Sequence, residues 1–162
     1  MEPAGFDFSS KNVRSFPGQM TKINKSVLVA QSASRMFALV DAVEKYPEFL
    51  PWCGGVRLIH RDQHITRAAI EINYHGIHHG FSTENAKREP ESIEIRLLEG
   101  PFRQLEGTWR FHDLNGQGCK IEFTLHYEFS SHLLGALLGP VFNHIANTFV
   151  DAFVRRARQI YG

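Results

Sequence analysis

The chain has 162 residues, with 18 lysines and arginines against 17 acidic residues and a formal net charge of +1. That length suits one domain able to bury roughly 70% of its unfolded surface without staples. The near-neutral balance excludes a global field for nucleic acid or acidic membrane, and no apolar run approaches the ~18 residues a membrane span needs.

Residues 1–19, MEPAGFDFSSKNVRSFPGQ, are polar and show no periodicity. They lack the apolar h-region of a signal peptide. The expectation is a disordered leader, or a start assigned too early, with one domain over 20–162. Ile23–Val29 then reads as a strand. SASRMFALVDAVEKY follows, with Ser32 or Ser34 as cap and Met36, Phe37, Val40 and Val43 at helical spacing.

The next stretch, EKYPEFLPWCGG, concentrates Tyr46, Phe49, Leu50 and Trp52 between Pro47 and Pro51. Two prolines forbid a long helix or a central strand, so this is a short, stiff corner carrying much apolar surface. Six strand-like runs come after it: Val56–Arg61, Ile65–His75, Ile77–Lys87, Ser92–Leu98, Gln104–Asp113 and Cys119–Phe129. The last three alternate most cleanly, for example Ile121, Phe123, Leu125, Tyr127 and Phe129 against Lys120, Glu122 and Glu128. A sheet apolar on one face and charged on the other is antiparallel and covered on one side.

The cover is the last segment, Ser131 to Tyr161. Leu134, Leu138, Phe142, Ile145, Phe149, Phe153 and Ile160 form its apolar stripe, with Asn143, Asn147, Asp151, Arg155 and Arg158 opposite. Gly139-Pro140 predicts a kink or a division into a short turn and a long helix. The fold class is α+β: one curved seven-stranded antiparallel sheet around a C-terminal helix. Such a sheet bends away from the helix, and Gly76, Gly80, Gly107 and Ala68 on its inward rows favour a residual cavity. Filling of that gap by phenylalanine and tryptophan is the alternative.

The segments VEKYPEFLPWC, FSTEN, GPFRQLEGTWRF, HYEF and GPVFNHIANTFVDAFVRRARQIYG carry a family likeness. From about Met20 to Gly162 the chain resembles the coenzyme Q-binding and polyketide-cyclase-like branch of the START-related (SRPBCC) superfamily. Within it, the chain is similar to the bacterial RatA-type ribosome-association toxins. The resemblance implies a helix-grip fold. It also implies one of two roles: binding ubiquinone or a similar isoprenoid lipid in support of respiration, or binding the large ribosomal subunit and blocking subunit joining. We take the lipid role as the leading expectation, in a cytoplasmic protein with transient contact at the inner membrane surface and no DNA partner. The proline corner is then a lip at the cavity mouth or, alternatively, a plug capping the barrel end. The candidate ligand-binding residues are Tyr46, Phe49, Leu50, Trp52, His79, Phe81, Trp109, Phe123, Tyr127, Phe142, Phe149 and Phe153.

Other chemistry is sparse. Nine histidines include HGIHHG at 75–80, but His78 and His79 alternate across a strand and no HExxH or CxxC accompanies them. No metal or cofactor is expected. Cys53 and Cys119 fit a reduced chain, with one surface disulfide as the alternative. There is no GxSxG, no P-loop and no cysteine–histidine pattern, so the expectation is a non-enzyme. For a ribosome, the candidate phosphate contacts are Lys87-Arg88 and Arg155-Arg156-Arg158.

Overall fold

The structure, a computed structural model, describes residues 20–162. The reading for residues 1–19 lies outside them. Strand β1 (Thr21–Val29) leads to helix α1 (Ala33–Asp41) and a 3-10 turn (Val43–Glu48). Strands β2 (Cys53–Arg61), β3 (Ile65–Tyr74), β4 (Ile77–Arg88), β5 (Ser92–Glu99), β6 (Phe102–Asp113) and β7 (Cys119–Phe129) follow, then helix α2 (His132–Tyr161). The strands make one antiparallel sheet in the order β1-β7-β6-β5-β4-β3-β2. The curved seven-stranded antiparallel sheet around a C-terminal helix expected from the alternation is what forms, in agreement with the helix-grip fold that the resemblance implies.

Register explains the two faces. On β7 every second residue from Cys119 to Phe129 is buried, and Trp109 opposes Phe123 while Phe111 opposes Ile121. Breaks in register between Ser82 and Thr83, and between Phe102 and Gln104, bend the sheet toward α2. Gly107 is tightly packed. A Cβ there would lie 3.0 Å from the Thr124 carbonyl oxygen and 3.1 Å from Leu125 Cδ1. This glycine therefore brings strands and side chains together, and it does not open space. Gly76 and Gly80 are exposed and leave none either. Of the four small residues expected to favour a void, only Ala68 and Gly107 face inward.

Helix α1 begins at Ser32, whose hydroxyl accepts from the Arg35 N–H at 3.2 Å. Met36, Phe37, Val40 and Val43 are all buried as the spacing predicts. Helix α2 starts at Ser131, which accepts from Leu134 N–H at 3.1 Å, and runs unbroken through Pro140. The expected division does not occur. Pro140 removes one backbone donor, on an exposed position, while Leu138, Phe142 and Ile145 on either side dock into the same concave sheet. Ile160, placed on the stripe by its spacing, is half exposed because the last turn runs past the core. Asn143 sits at the core margin and accepts a hydrogen bond from the Tyr127 hydroxyl. By length and composition α2 could cross a membrane, contrary to the expectation that no segment approaches a span. In this fold its apolar face is wrapped by the sheet.

Candidate functional site

The proline corner folds inward. Leu50 N–H donates to the Tyr46 carbonyl at 2.9 Å and Cys53 N–H to the Leu50 carbonyl at 3.0 Å, so the chain turns back on itself. Asn73 N–H donates to the Trp52 carbonyl at 2.8 Å, tying the corner to the end of β3. Tyr46, Leu50 and Trp52 are buried, while Phe49 is half-buried. Tyr46 donates its hydroxyl to the Val40 carbonyl at 2.6 Å, and burial pushes its phenol well above the ordinary range. The corner is thus a plug over the end of the barrel. A stiff apolar corner gains more by closing on α2 than by standing in water.

Two cations hold it there. Arg61 donates to Glu44 at 2.8 Å and to the Asp41 carbonyl at 2.7 Å. The Glu44 carboxyl is held below the usual carboxylate range by that Arg61 hydrogen bond. Arg156 on α2 pairs with Glu48 at 2.7 Å and lies over the Phe49 ring, 5.2 Å from its centroid.

Behind the plug lies a cavity of about 70 Å³. Seven of the twelve sequence-predicted site residues line it. From the plug these are Tyr46 and Trp52; from the sheet, Phe81, Trp109 and Phe123; from α2, Phe142 and Phe149. The other five do not. Phe153 is fully buried, its ring 5.3 Å from Tyr46, 5.1 Å from Phe49, 5.3 Å from Trp109 and 5.0 Å from Phe149. Tyr127 packs on Phe142 at 4.7 Å, and burial pushes its phenol up to about 12. Leu50 is core, and Phe49 caps the plug from outside. His79 shares the concave face through its pairing with Ile72, but it is only half-buried and away from the cavity.

The sequence reading missed a polar row. Counting by twos from Phe81 puts Thr83, Asn85 and Lys87 on the same concave face, opposite Ala68 and Thr66 of β3. All three are buried, and Thr83 and Asn85 line the cavity. Lys87 is no phosphate contact: its ammonium lies 3.2 Å from Asp41 Oδ2, and the Thr66 hydroxyl donates to Asp41 Oδ1 at 2.9 Å. Asn85 Oδ1 is buried with no hydrogen-bond partner. The signal was in FSTEN, where alternation from an aromatic places Thr and Asn inside. Of the other basic candidates, Arg155 and Arg158 are exposed and make no ion pair with any described residue.

Chemically the cavity is quiet. Its polar groups are the Thr83 and Tyr46 hydroxyls, the Asn85 amide and the indole N–H groups of Trp52 and Trp109, none of them an acid, base or nucleophile of use near neutrality. Both cysteines are free thiols, and burial pushes Cys119 up to about 11 and Cys53 upward. Among the described residues no three His, Cys, Asp or Glu side chains are grouped so as to hold a metal ion.

Residues 29–154 match the family described as polyketide cyclase/dehydrase and lipid transport. A Pseudomonas aeruginosa protein named ribosome association toxin RatA is 39% identical over 142 residues, 88% of this chain and 99% of that one. A Xenopus laevis protein named coenzyme Q-binding protein COQ10 homolog B, mitochondrial, is 27% identical, over 86% of this chain and 59% of that one. Among solved structures, the Zhui aromatase/cyclase from Streptomyces superposes with a TM-score of 0.71 at 17% identity, over 87% and 95% of the two chains. At that identity the likeness speaks for the fold alone.

Proposed function

The chain belongs to the polyketide cyclase/dehydrase and lipid-transport family, and from that premise we propose that it binds the large ribosomal subunit and hinders subunit joining. The observation that carries this reading is the 39% identity to a ribosome association toxin across 99% of that protein's length. Lipid binding, the leading expectation from the amino-acid pattern and the resemblance, becomes the second reading. The interior supports the reversal, because a void of about 70 Å³ is well short of the ~300 Å³ at which ligand pockets usually begin.

Arg155 and Arg158 supply the contact. They lie three residues apart on the solvent side of α2, free of ion pairs with described residues. Arg35 stands beside the same helix end, its guanidinium 4.9 Å from the Tyr161 ring centroid and 3.1 Å from Gln31 Oε1. Arg35, held in this way, meets a phosphate oxygen without first being ordered, and Arg155 and Arg158 stand ready in solvent beside it. The protein acts here without catalysis, and its setting is cytoplasmic. Purified subunits mixed with equimolar protein and resolved on a sucrose gradient test the reading. Loss of the joined ribosome peak is expected, with recovery on Arg155→Glu and Arg158→Glu together. An unchanged peak at excess protein sinks it.

A second reading has one observation in its favour. The cavity is mostly apolar, with a few polar groups from Thr83, Asn85, Tyr46, Trp52 and Trp109, as a site for a hydrophobic molecule would be, and a relative named for coenzyme Q binding is 27% identical. Mass spectrometry of an organic extract of the purified protein tests it: a stoichiometric isoprenoid quinone or other lipid supports it.

A further inference from the structure

Building on the ribosome reading above, we propose that the tip of the β3–β4 hairpin and the outer face of α2 together hold an unpaired base of ribosomal RNA, stacked on His144.

Three rings build the platform. Tyr74 pairs with Ile77, so His75 and Gly76 alone join β3 to β4. Both turn residues have left-handed backbone, with φ of 51° and 82°, which matches the twist of a tight hairpin and stiffens its tip. The tip sets the His75 ring edge-on to Tyr74, with centroids 4.1 Å apart and planes at 86°. Tyr74 lies parallel to His144 of α2, within 7° and 5.6 Å between centroids. Tyr74 is half-buried against the core, whereas His75 and His144 are exposed. Asn147 and Thr148, the polar neighbours of His144 along the helix, are folded back onto backbone carbonyls at 2.8 Å each, which keeps them low beside the ring. The stack thus begins at the core margin and ends in water at His144. A flat ring that ends a stack in water has room for another, and every nucleobase offers one.

Charge along the helix favours RNA as the source of that ring. Arg155 follows His144 by eleven residues, which returns it to the same side of α2 about 16 Å away, with Arg158 one turn beyond. Both arginines are exposed and suit phosphates. Asp151 is also exposed on this side, between them and His144. Its carboxylate turns phosphate away from the ring and toward the arginines, leaving the uncharged base for His144. On the N-terminal side of His144 the same face carries Leu137 and Leu133, 51% and 76% exposed. A duplex presents phosphates along its whole length and hides its base faces, so it suits neither the carboxylate nor the ring. A loop with its bases turned outward suits both. An acidic peptide would meet the arginines and leave the ring pair without a role.

Sedimentation with purified large subunits tests the contact. His144→Ala, at an exposed position, should leave thermal stability unchanged and weaken association about tenfold, the loss expected for one stacked base. His144→Phe should restore association, because a stack needs a ring and neither a charge nor a hydrogen-bond donor. In NMR titration, an oligoadenylate of about ten residues should shift the His144 imidazole C–H signals, and the same strand paired with oligouridylate should not. Association of His144→Ala equal to that of the parent, or of His144→Phe as weak as His144→Ala, overturns the proposal and leaves the ribosome reading standing. Weakened association without any response to oligoadenylate puts a protein on the rings and overturns it equally. A parent protein that ignores subunits while His144 still responds to the single strand sinks the ribosome reading alone, and no response in either assay sinks both.

Discussion

Phe153 is where the closed interior can be tested most directly. Its ring is fully buried and meets four aromatic rings edge to face at 5.0 to 5.3 Å. Truncation of a buried Phe to Ala costs about 3–5 kcal/mol, less where neighbours can collapse into the hole. Here they cannot move far. Tyr46 is tethered by its hydroxyl to Val40, and Trp109 sits in the middle of the sheet against Phe123. Phe153→Ala should therefore fall at the upper end, about 4–5 kcal/mol, which for a chain of this length lowers Tm by roughly 10–15 °C. Phe149→Ala, one turn earlier, is the control. Phe149 is half-buried and already borders the void, so its loss should cost about half as much. Urea denaturation followed by circular dichroism gives both numbers, with the m-value checked for constancy. A Phe153→Ala protein that loses less than about 2 kcal/mol, or no more than Phe149→Ala, would show that this part of the core is not packed as described.

Lys87→Met should destabilise by about 3 kcal/mol, because Asp41 keeps its charge with only Thr66 and a more distant Arg61 for company; a urea midpoint within error of the parent would contradict the buried pair. Glu44→Gln should lower the urea midpoint at pH 6. Since Arg61 depresses the Glu44 pKa, the stability it lends is present above the unfolded value of 4.5 and is lost as pH falls through the lower folded value. The gap between the two proteins should therefore close below pH 4.5, and a gap that widens on acidification would refute the assignment. Iodoacetamide at pH 8 should label neither cysteine in the folded protein and both after unfolding, because Cys53 and Cys119 are buried and their thiols are pushed upward. Intact-mass measurement reads the result, and rapid single labelling would mean that the end of the barrel opens.

Strand positions were legible where alternation was strict. Cys119–Phe129 matches β7 residue for residue because five large apolar side chains alternate with polar ones, and only one register buries them. The start of β2 was not legible. Gly54-Gly55 looks like a turn, yet Cys53 already pairs with Ile72 across a bulge, a contact that depends on where β3 lies. The unbroken α2 was hidden for a related reason. Pro140 is a breaker by propensity, and the docking of both halves into one concave sheet overrides it. The aromatic lining of the cavity followed from composition and period, whereas the polar row of Thr83, Asn85 and Lys87 did not. Those residues read as solvent-facing by type, and their burial appears only once Phe81 fixes which face of β4 turns inward. Lys87 shows the consequence, since a lysine taken for a phosphate contact is half of an internal ion pair.

The plug links the two functional readings. Tyr46, Leu50 and Trp52 close the barrel by packing on the inner side of α2, while Arg155 and Arg158 stand on its outer side. Phe153 and Arg155, two residues apart, thus belong to opposite faces of one helix, so a charge change outside need not disturb the packing inside. Arg156 is the exception. It leaves the helix to hold Glu48 and to cover Phe49, joining the basic end of α2 to the plug itself. Arg155 and Arg158 can thus be changed without touching the plug, whereas a change at Arg156 removes both the ion pair with Glu48 and the cover over Phe49, so the basic end of α2 and the closure of the fold meet at that one side chain among the described residues.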